Sequence, residues 1–276
     1  MLSTLKVIAV LLVVGYLGIL LLMYVMQSRL LYPSSGVVQP LQPSNELARA
    51  GLTAWPEADP VALVASPDSA RGTVVVFHGN GGTALQRGYY VEALRQRGLR
   101  VVLAEYPNYG WRDGAISEAE LVADARRTLE LAHDAFGGPL IVWGESLGAG
   151  VAAAAIHQLD VPVEAVILLT PWDTLPNVAS SAYPWLPVRW LLRDRYDSIE
   201  NLRGFDGRVA VLVAEDDRVI PPARGLALYE GLNAEKRLWT FPGAGHNSWP
   251  SHPTASFWDE VIAFAVEESQ TEDSPR

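Results

Sequence analysis

The chain has no cysteine, and only Lys6 and Lys236 of its 21 basic residues are lysines. Without a thiol there is no disulfide, no cysteine-ligated zinc, no cysteine nucleophile and no lipid-modified N-terminal cysteine. The 31 acidic residues outnumber the basic ones, so the net charge at pH 7 is −10. Because nucleic-acid binding requires a basic face, this balance argues against a nucleic-acid partner.

One stretch of 20 residues, 7–26, contains no charge, amide or proline. As a helix with a rise of 1.5 Å per residue it is about 30 Å long, the thickness of the hydrocarbon core of a bilayer. A cleaved signal peptide would have a shorter apolar core and a small-x-small site, and no A-x-A motif follows the run. We expect an uncleaved transmembrane anchor over residues 1–28; a signal peptide and a buried core helix are the alternatives.

The charges that flank this run differ slightly in number. Lys6 and the α-amino group precede it, and Arg29 follows it. This favours a cytoplasmic N-terminus and a domain on the non-cytoplasmic side. An acidic domain is not drawn to anionic lipid by charge, so the helix is expected to supply the attachment to the membrane.

Beyond the anchor, residues 29–50 are rich in proline and serine, which predicts a linker or an extended lead-in. From 51 to 268 strand and helix signals alternate, which predicts one α/β domain with a mostly parallel sheet and helices on both faces. The predicted strands are 73–77, 100–104, 140–143, 163–169, 209–214 and 237–241. The predicted helices are 84–97, 117–135, 147–158, 222–232 and 253–267. Residues 171–205 interrupt the alternation and are expected to form a short cap, and 269–276 a disordered tail.

The sharpest motif is Gly-Glu-Ser-Leu-Gly at 144–148, between a predicted strand and a predicted helix. In a G-x-S-x-G turn the glycines allow a cramped bend that exposes the serine Oγ. The following helix N-terminus directs amide donors at developing negative charge. The motif predicts that Ser146 is a nucleophile; the alternative is an ordinary helix N-cap.

A serine nucleophile needs a base, and the chain offers five histidines. In sites of this strand–turn–helix type the chain order is serine, acid, histidine. His246 lies in a glycine-containing loop after the last predicted strand, which is the position that this order requires. The others are interpreted as packing, surface or loop residues: His78, His133, His157 and His252.

The acid must lie between the serine and the histidine, at the end of a strand. Residues 215–217 follow a predicted strand and supply three adjacent carboxylates, so the spacing leaves Glu215, Asp216 and Asp217 open. Asp173, after the preceding strand, is a fallback.

Upstream of the nucleophile, residues 78–82 read His-Gly-Asn-Gly-Gly where a strand meets a helix. Such small residues let backbone N–H groups approach a substrate carbonyl oxygen. The predicted oxyanion donors are the N–H groups of Asn80 and Leu147. A phosphate-binding loop is the alternative, but G-x-x-x-x-G-K-[ST] and G-x-G-x-x-G are both missing from the sequence.

At these motifs the chain resembles the α/β-hydrolase superfamily, and more narrowly the Bem46-type membrane-anchored serine hydrolases, related to the ABHD13- and ABHD17-like group. The resemblance covers roughly residues 22–265. It lies in QSRLLYP at 27–33, FHGNGG at 77–82, GESLGAG at 144–150, YPWLPVRWLLRDRYDSIENL at 183–202 and GAGHNS at 243–248. The chain departs from the family at EYPNYG, 105–110, and at Ala-Glu-Asp-Asp, 214–217.

The resemblance implies an α/β-hydrolase fold with Ser146 as nucleophile and His246 as base. It favours Asp217 as the acid, because the family acid lies four residues before a proline, here Pro221. The implied reaction is hydrolysis of a carboxylic ester or thioester through an acyl-enzyme. No metal or organic cofactor is implied.

The tryptophans of the interrupting stretch and the membrane anchor point to a small, lipid-like substrate with an apolar acyl part. The predicted pocket residues are Tyr109, Trp172 and Trp185. Because the same triad serves several reactions, a serine peptidase or amidase remains an alternative, as does a non-catalytic membrane-anchored binding scaffold.

Overall fold

The structure, a computed structural model, describes residues 2–33, 35–37 and 39–266. The predicted tail at 269–276 lies outside these residues. The first element, α1 (Leu2–Leu31), has 30 residues and is therefore about 45 Å long. Most of its apolar side chains are exposed. Within the described part of the chain, α1 is the one helix long and apolar enough to cross a bilayer.

An eight-stranded sheet forms the centre of the domain. Its strands are β1 (Thr53–Trp55), β2 (Ala62–Ala65), β3 (Thr73–Phe77), β4 (Arg100–Ala104), β5 (Leu140–Glu145), β6 (Ala165–Leu169), β7 (Arg208–Ala214) and β8 (Lys236–Phe241). The order across the sheet is β1-β2-β4-β3-β5-β6-β7-β8. β2 pairs antiparallel with β1 and β4, and the pairs from β4 to β8 are parallel. The prediction of a mostly parallel sheet is confirmed.

Helices cover both faces of this sheet, as the alternation predicts. They are α2 (Ser44–Arg49), α3 (Gly88–Arg95), α4 (Glu118–Phe136), α5 (Leu147–Ile156), α6 (Leu175–Ala182), α7 (Val188–Leu191), α8 (Ser198–Asn201), α9 (Pro222–Gly231) and α10 (Ala255–Val266). α4, α5, α8 and α9 pack on one face, and α3 and α10 pack on the other.

The residues of β3 show how the strands serve both layers. Val75 and Phe77 pack against the α4–α5 layer, whereas Val74 and Val76 pack against the opposite layer. A strand buried on both faces is a continuous apolar run, which is typical of parallel sheets. All ten residues of α5 are buried as well, so this alanine- and glycine-rich helix lies close against the sheet.

Several elements differ from the sequence predictions. β1 and β2 are not predicted because strands of three and four residues carry little periodicity; they form by antiparallel pairing at the edge of β4. The predicted helix at 84–97 is a 3₁₀ turn, Ala84–Arg87, followed by α3. The interruption at 171–205, hereafter the cap, contains the three short helices α6, α7 and α8.

The C-terminal end of α1 packs directly onto the cap. Tyr32, 1% exposed, forms hydrogen bonds through its hydroxyl with Asp194 Oδ2 at 2.9 Å and with the Tyr196 hydroxyl at 3.0 Å. Gln27 Nε2 donates to the Leu191 carbonyl at 3.2 Å. These contacts lie at the end of the predicted anchor and the beginning of the stretch predicted as a linker, and they join the helix to the domain.

Candidate active site

A strained turn carries Ser146 between β5 and α5. Its φ of 54° and ψ of −113° lie outside the regions that a residue with a side chain favours. A Cβ on Gly148 would meet the Phe77 carbonyl, and a Cβ on Gly144 would meet the Gly148 carbonyl. The backbones therefore approach too closely for any residue but glycine. The bend has the form expected of a G-x-S-x-G turn, with the serine at the C-terminal edge of the sheet.

Ser146, His246 and Asp217 form one hydrogen-bonded chain. His246 Nε2 lies 3.0 Å from Ser146 Oγ, and its Nδ1 lies 2.6 Å from Asp217 Oδ2. The other carboxylate oxygen accepts from the N–H groups of Val219 and Ile220, both at 2.8 Å. The Asp217 side chain is 2% exposed and that of His246 is 13% exposed. Two amides thus hold a buried carboxylate so that its second oxygen faces the imidazole.

The other carboxylates that the spacing leaves open lie in different environments. Glu215 and Asp216 are exposed. Asp173 is buried, and its Oδ2 accepts from Arg224 Nη1 at 3.0 Å. Among the candidates, the carboxylate in contact with His246 is therefore that of Asp217, the third residue after β7.

The remaining helical and loop histidines lie outside the hydrogen-bonded chain at Ser146. His157 Nδ1 lies 3.2 Å from the Asn201 carbonyl, and His252 Nδ1 lies 2.9 Å from the Ser248 carbonyl. His133 lies in the last turn of α4. These positions agree with their interpretation as packing, surface or loop residues.

The loop at 78–82 lies beside the serine, at the C-terminal end of β3. A Cβ on Gly79 would be 3.5 Å from Ser146 Cβ, and Asn80 borders the same cavity as Leu147. Leu147 is the first residue of α5, where a backbone N–H has no partner within the helix. Both residues predicted as oxyanion donors thus border the nucleophile.

Two tyrosines hold this loop from behind. The hydroxyl of Tyr106 donates to the His78 carbonyl at 2.9 Å, and that of Tyr109 donates to the Asn80 carbonyl at 3.2 Å. Burial raises the pKa of Tyr109 above its ordinary value, so the phenol keeps the proton that it donates. Tyr109 is fully buried and is not part of the cavity wall. The prediction that it lines the pocket is corrected: its ring supports the loop instead.

A buried pair lies under the same loop. His78 Nδ1 is 2.7 Å from the Gly79 carbonyl, and its Nε2 is 2.8 Å from Glu105 Oε1. Glu105 Oε2 accepts from the Ala84 N–H at 3.0 Å. The pair therefore joins the loop to the turn that precedes α3. Sequence reasoning assigned Glu105 no role, although the departure from the family pattern at 105–110 was a signal for it.

Glu145, the residue before the nucleophile, is also held by hydrogen bonds to the segment that follows β3. Glu145 accepts from Arg87 through two nitrogens, both at 3.0 Å, and from the Tyr89 hydroxyl at 2.9 Å. A bidentate guanidinium–carboxylate pair sets direction as well as distance. These two partners, which the motif does not reveal, orient the end of β5.

A cavity of about 290 Å³ opens at Ser146. Most of its wall comes from the C-terminal third of α1, the cap and the turn after Asp217, and Asn80 and the turn at Ser146 and Leu147 complete it. No charged side chain is among the described residues that line it. The contribution of α1 is not predicted, because a membrane anchor is recognised by its composition and not by its contacts.

The two predicted cap tryptophans occupy different positions. Trp172 lines the cavity. Trp185 is 56% exposed and lies outside the wall, and its carbonyl accepts from the Tyr16 hydroxyl at 3.0 Å. The assignment of Trp185 to the pocket is therefore corrected, because the cap presents this ring on its outer surface.

Comparison with known sequences matches residues 72–207 to the alpha/beta hydrolase fold. The chain belongs to the α/β-hydrolase family. An uncharacterized protein of Mycobacterium tuberculosis is 33% identical to this hydrolase over 240 residues, which cover 83% of this chain and 84% of that protein. The lysophosphatidylserine lipase ABHD12 of Danio rerio is 32% identical over 189 residues. That match covers 62% of this hydrolase and 50% of the relative.

Solved structures share the fold at lower identity. Est1E from Butyrivibrio proteoclasticus, solved with ferulic acid, aligns with a TM-score of 0.61 at 16% identity, covering 74% of this hydrolase and 94% of that chain. The monoacylglycerol lipase of Paleococcus ferrophilus aligns with a TM-score of 0.54 at 19% identity. The alignment covers 74% of this hydrolase and 98% of that chain. At such identities the structures show the fold alone. The family, with a lysophosphatidylserine lipase among the relatives in sequence, makes this chain a hydrolase.

Proposed function

We propose that this hydrolase cleaves carboxylic esters or thioesters through an acyl-enzyme, with Ser146 as nucleophile, His246 as base and Asp217 as acid. The observation that carries the proposal is the hydrogen-bonded chain at the strained turn, with distances of 3.0 Å and 2.6 Å. A nucleophile in contact with a base, which is itself oriented by an acid, is the arrangement that activates a serine hydroxyl.

In this reaction Ser146 Oγ attacks the carbonyl carbon while its proton passes to His246 Nε2. The N–H groups of Asn80 and Leu147 donate to the oxyanion. One donor of this kind lowers the activation free energy by about 3–4 kcal/mol. Collapse of the tetrahedral species breaks the bond to the leaving alcohol or thiol, which takes the proton from His246. Water then attacks the acyl-enzyme by the same steps and releases the acid. Asp217 holds the imidazole tautomer and stabilises the imidazolium.

The cavity supports a lipid-like acyl substrate. Its wall is apolar apart from a few uncharged polar side chains, one of which is Ser146. An apolar cavity beside a nucleophile favours an acyl chain over a charged group. Relatives and structural neighbours that act as a lysophosphatidylserine lipase and a monoacylglycerol lipase agree with such a substrate.

A fluorophosphonate probe tests the nucleophile. In membranes that hold the full chain, we expect the wild type to be labelled and Ser146→Ala to remain unlabelled. Ser256→Ala, which removes an exposed hydroxyl on α10, is the matched control and is expected to label like the wild type. Labelling of Ser146→Ala, or none of the wild type, contradicts the proposal.

The leaving group separates the proposal from the peptidase or amidase alternative. One acyl chain is offered as an oxygen ester, as a thioester and as an anilide. The proposal expects faster turnover of the ester and thioester than of the anilide. A preference for the anilide favours the alternative, and no turnover of any of the three, without probe labelling, favours a binding scaffold.

We further propose that α1 is a single-pass membrane anchor with the domain on the non-cytoplasmic side. The length of α1 supports the span. Two positive charges before the apolar run, those of the α-amino group and Lys6, against Arg29 after it support the orientation. In spheroplasts of an expressing bacterium, added protease should digest the domain. Protection of the domain until the membrane is lysed would reverse the orientation.

A further inference from the structure

The candidate transmembrane helix forms one side of the cavity at the active site. Met23, Gln27 and Leu30 line the cavity, and the carbonyl of Leu31 accepts from Asn80 Nδ2 at 2.9 Å. A helix that only tethered the domain would need no such contacts. The acyl-binding space therefore lies where the domain meets α1.

A segment of the cap follows α1 toward the middle of the apolar run. This segment, residues 183–192, is called the cap turn. The Tyr16 hydroxyl donates to the Trp185 carbonyl at 3.0 Å. Tyr16 precedes Met26, the end of the apolar run, by ten residues, which corresponds to about 15 Å of helix. With α1 across a bilayer, the cap turn reaches the depth of the acyl chains.

The outer surface of the cap turn is suited to lipid. Trp190 is 89% exposed and Trp185 is 56% exposed, and neither ring lines the cavity. Large exposed aromatic rings are unfavourable in water, whereas tryptophan is enriched at the membrane interface. The one charged residue of the turn, Arg189, donates through Nη2 to Asn177 Oδ1 at 2.6 Å, so its charge is directed to a polar partner.

Polar groups between the cap turn and α1 are paired with each other. Gln27 Nε2 donates to the Leu191 carbonyl at 3.2 Å, and Gln27 Oε1 accepts from the Arg193 N–H at 2.8 Å. Groups placed in a hydrocarbon environment need such partners, because no water is present to replace them. The pairing explains why an amide side chain directly follows the apolar run.

We infer that the cap turn lies beside α1 within one leaflet, and that the cavity takes its substrate sideways from that leaflet. The substrate would be an ester lipid whose acyl chain already lies in the bilayer. A chain that passes from the leaflet into an apolar cavity does not cross water, so the transfer carries no cost of hydrating the chain. The substrate part of this inference rests on the proposed function; the location of the cap turn does not.

The cysteine-free sequence allows a direct test of location. A nitroxide spin label is placed on Trp190→Cys in the full chain, reconstituted in phosphatidylcholine vesicles, with Ser256→Cys on α10 as the control site. We expect the label at 190 to be relaxed by oxygen and shielded from a water-soluble nickel chelate, and the label at 256 to show the reverse. Equal nickel accessibility at both sites would overturn the inference.

Lateral access is tested with Trp190→Glu, which places a charge on the outer surface of the cap turn, outside the cavity wall. Hydrolysis of a long-chain monoacyl ester in vesicles should fall about tenfold or more, because a carboxylate is unfavourable in the leaflet. Hydrolysis of a water-soluble short-chain nitrophenyl ester should be unchanged. Leu226→Glu, at an exposed apolar position on α9, is the matched control and should affect neither substrate.

Equal loss of both activities in Trp190→Glu, or loss of neither, would overturn lateral access. A wild type that hydrolyses neither ester, with a lipid-exposed label at 190, would refute the proposed function and support the location of the cap turn. The two proposals therefore fail in distinguishable ways.

Discussion

Replacing Asp217 with asparagine changes one contact of the candidate triad and leaves the others in place. The asparagine oxygen can accept from the N–H groups of Val219 and Ile220, as Oδ1 does now at 2.8 Å. Its NH₂ group then faces His246 Nδ1, where the carboxylate oxygen lies at 2.6 Å. Because NH₂ only donates, it favours the imidazole tautomer with the proton on Nε2. That tautomer cannot accept the Ser146 proton.

The same exchange in a serine protease triad lowers kcat by about 10⁴. We therefore expect kcat for a short-chain nitrophenyl ester to fall by about 10³ to 10⁴, which corresponds to about 4–5.5 kcal/mol in activation free energy. KM should change little, because Asp217 is not among the residues that line the cavity at Ser146. The melting temperature should also change little, since both backbone contacts persist. The measurement is steady-state hydrolysis by the full chain in detergent.

Asp216→Asn is the matched control. It removes the same charge from the neighbouring, exposed residue, so its kcat should stay close to that of the wild type. The reasoning is refuted if Asp217→Asn loses less than about tenfold in kcat, or if both variants lose activity equally.

Two further substitutions test the packing around the site. Gly148→Ala places a Cβ against the Phe77 carbonyl. Overpacking against backbone lowers the free energy of unfolding by about 3 kcal/mol. The melting temperature, measured by thermal unfolding in detergent, should therefore fall by about 6–12 °C. Glu105→Leu removes the carboxylate that contacts His78. Because the imidazole stays buried, we expect a loss of about 3 kcal/mol in the free energy of unfolding and slower ester hydrolysis, measured by urea unfolding and by the nitrophenyl assay.

Each of these substitutions has a control at a site where the added or removed group is not packed against buried neighbours. An added Cβ at Gly81 meets no atom within 4 Å, so Gly81→Ala should melt close to the wild type. Glu260 is half exposed and pairs with Arg237 at 3.4 Å, so Glu260→Leu should cost at most about 1 kcal/mol. Equal stability of Gly148→Ala and Gly81→Ala, or of Glu105→Leu and Glu260→Leu, would contradict the packing argument.

Features with a local physical cause could be predicted from the sequence alone. The apolar run of α1 has the length of a bilayer core. Ser117, the first residue of the helix predicted at 117–135, caps α4 and accepts from the Glu120 N–H. The parallel strands are short apolar runs between helical segments, and their order of appearance determines an α/β fold. The turn at Ser146 follows from two glycines at fixed spacing, because backbone that approaches so closely excludes any side chain.

The tertiary structure decided what depends on contacts between distant residues. Spacing left three adjacent carboxylates open, and only folding shows that Asp217 faces His246 while its neighbours face solvent. The sequence places Tyr109 and Trp185 in the pocket wall, but the Tyr109 ring is buried behind the loop at 78–82 and the Trp185 ring lies on the outer surface of the cap. The part of α1 in the cavity wall was not predicted either. The direction of a side chain depends on which elements pack together, and residues far apart in the sequence determine that packing.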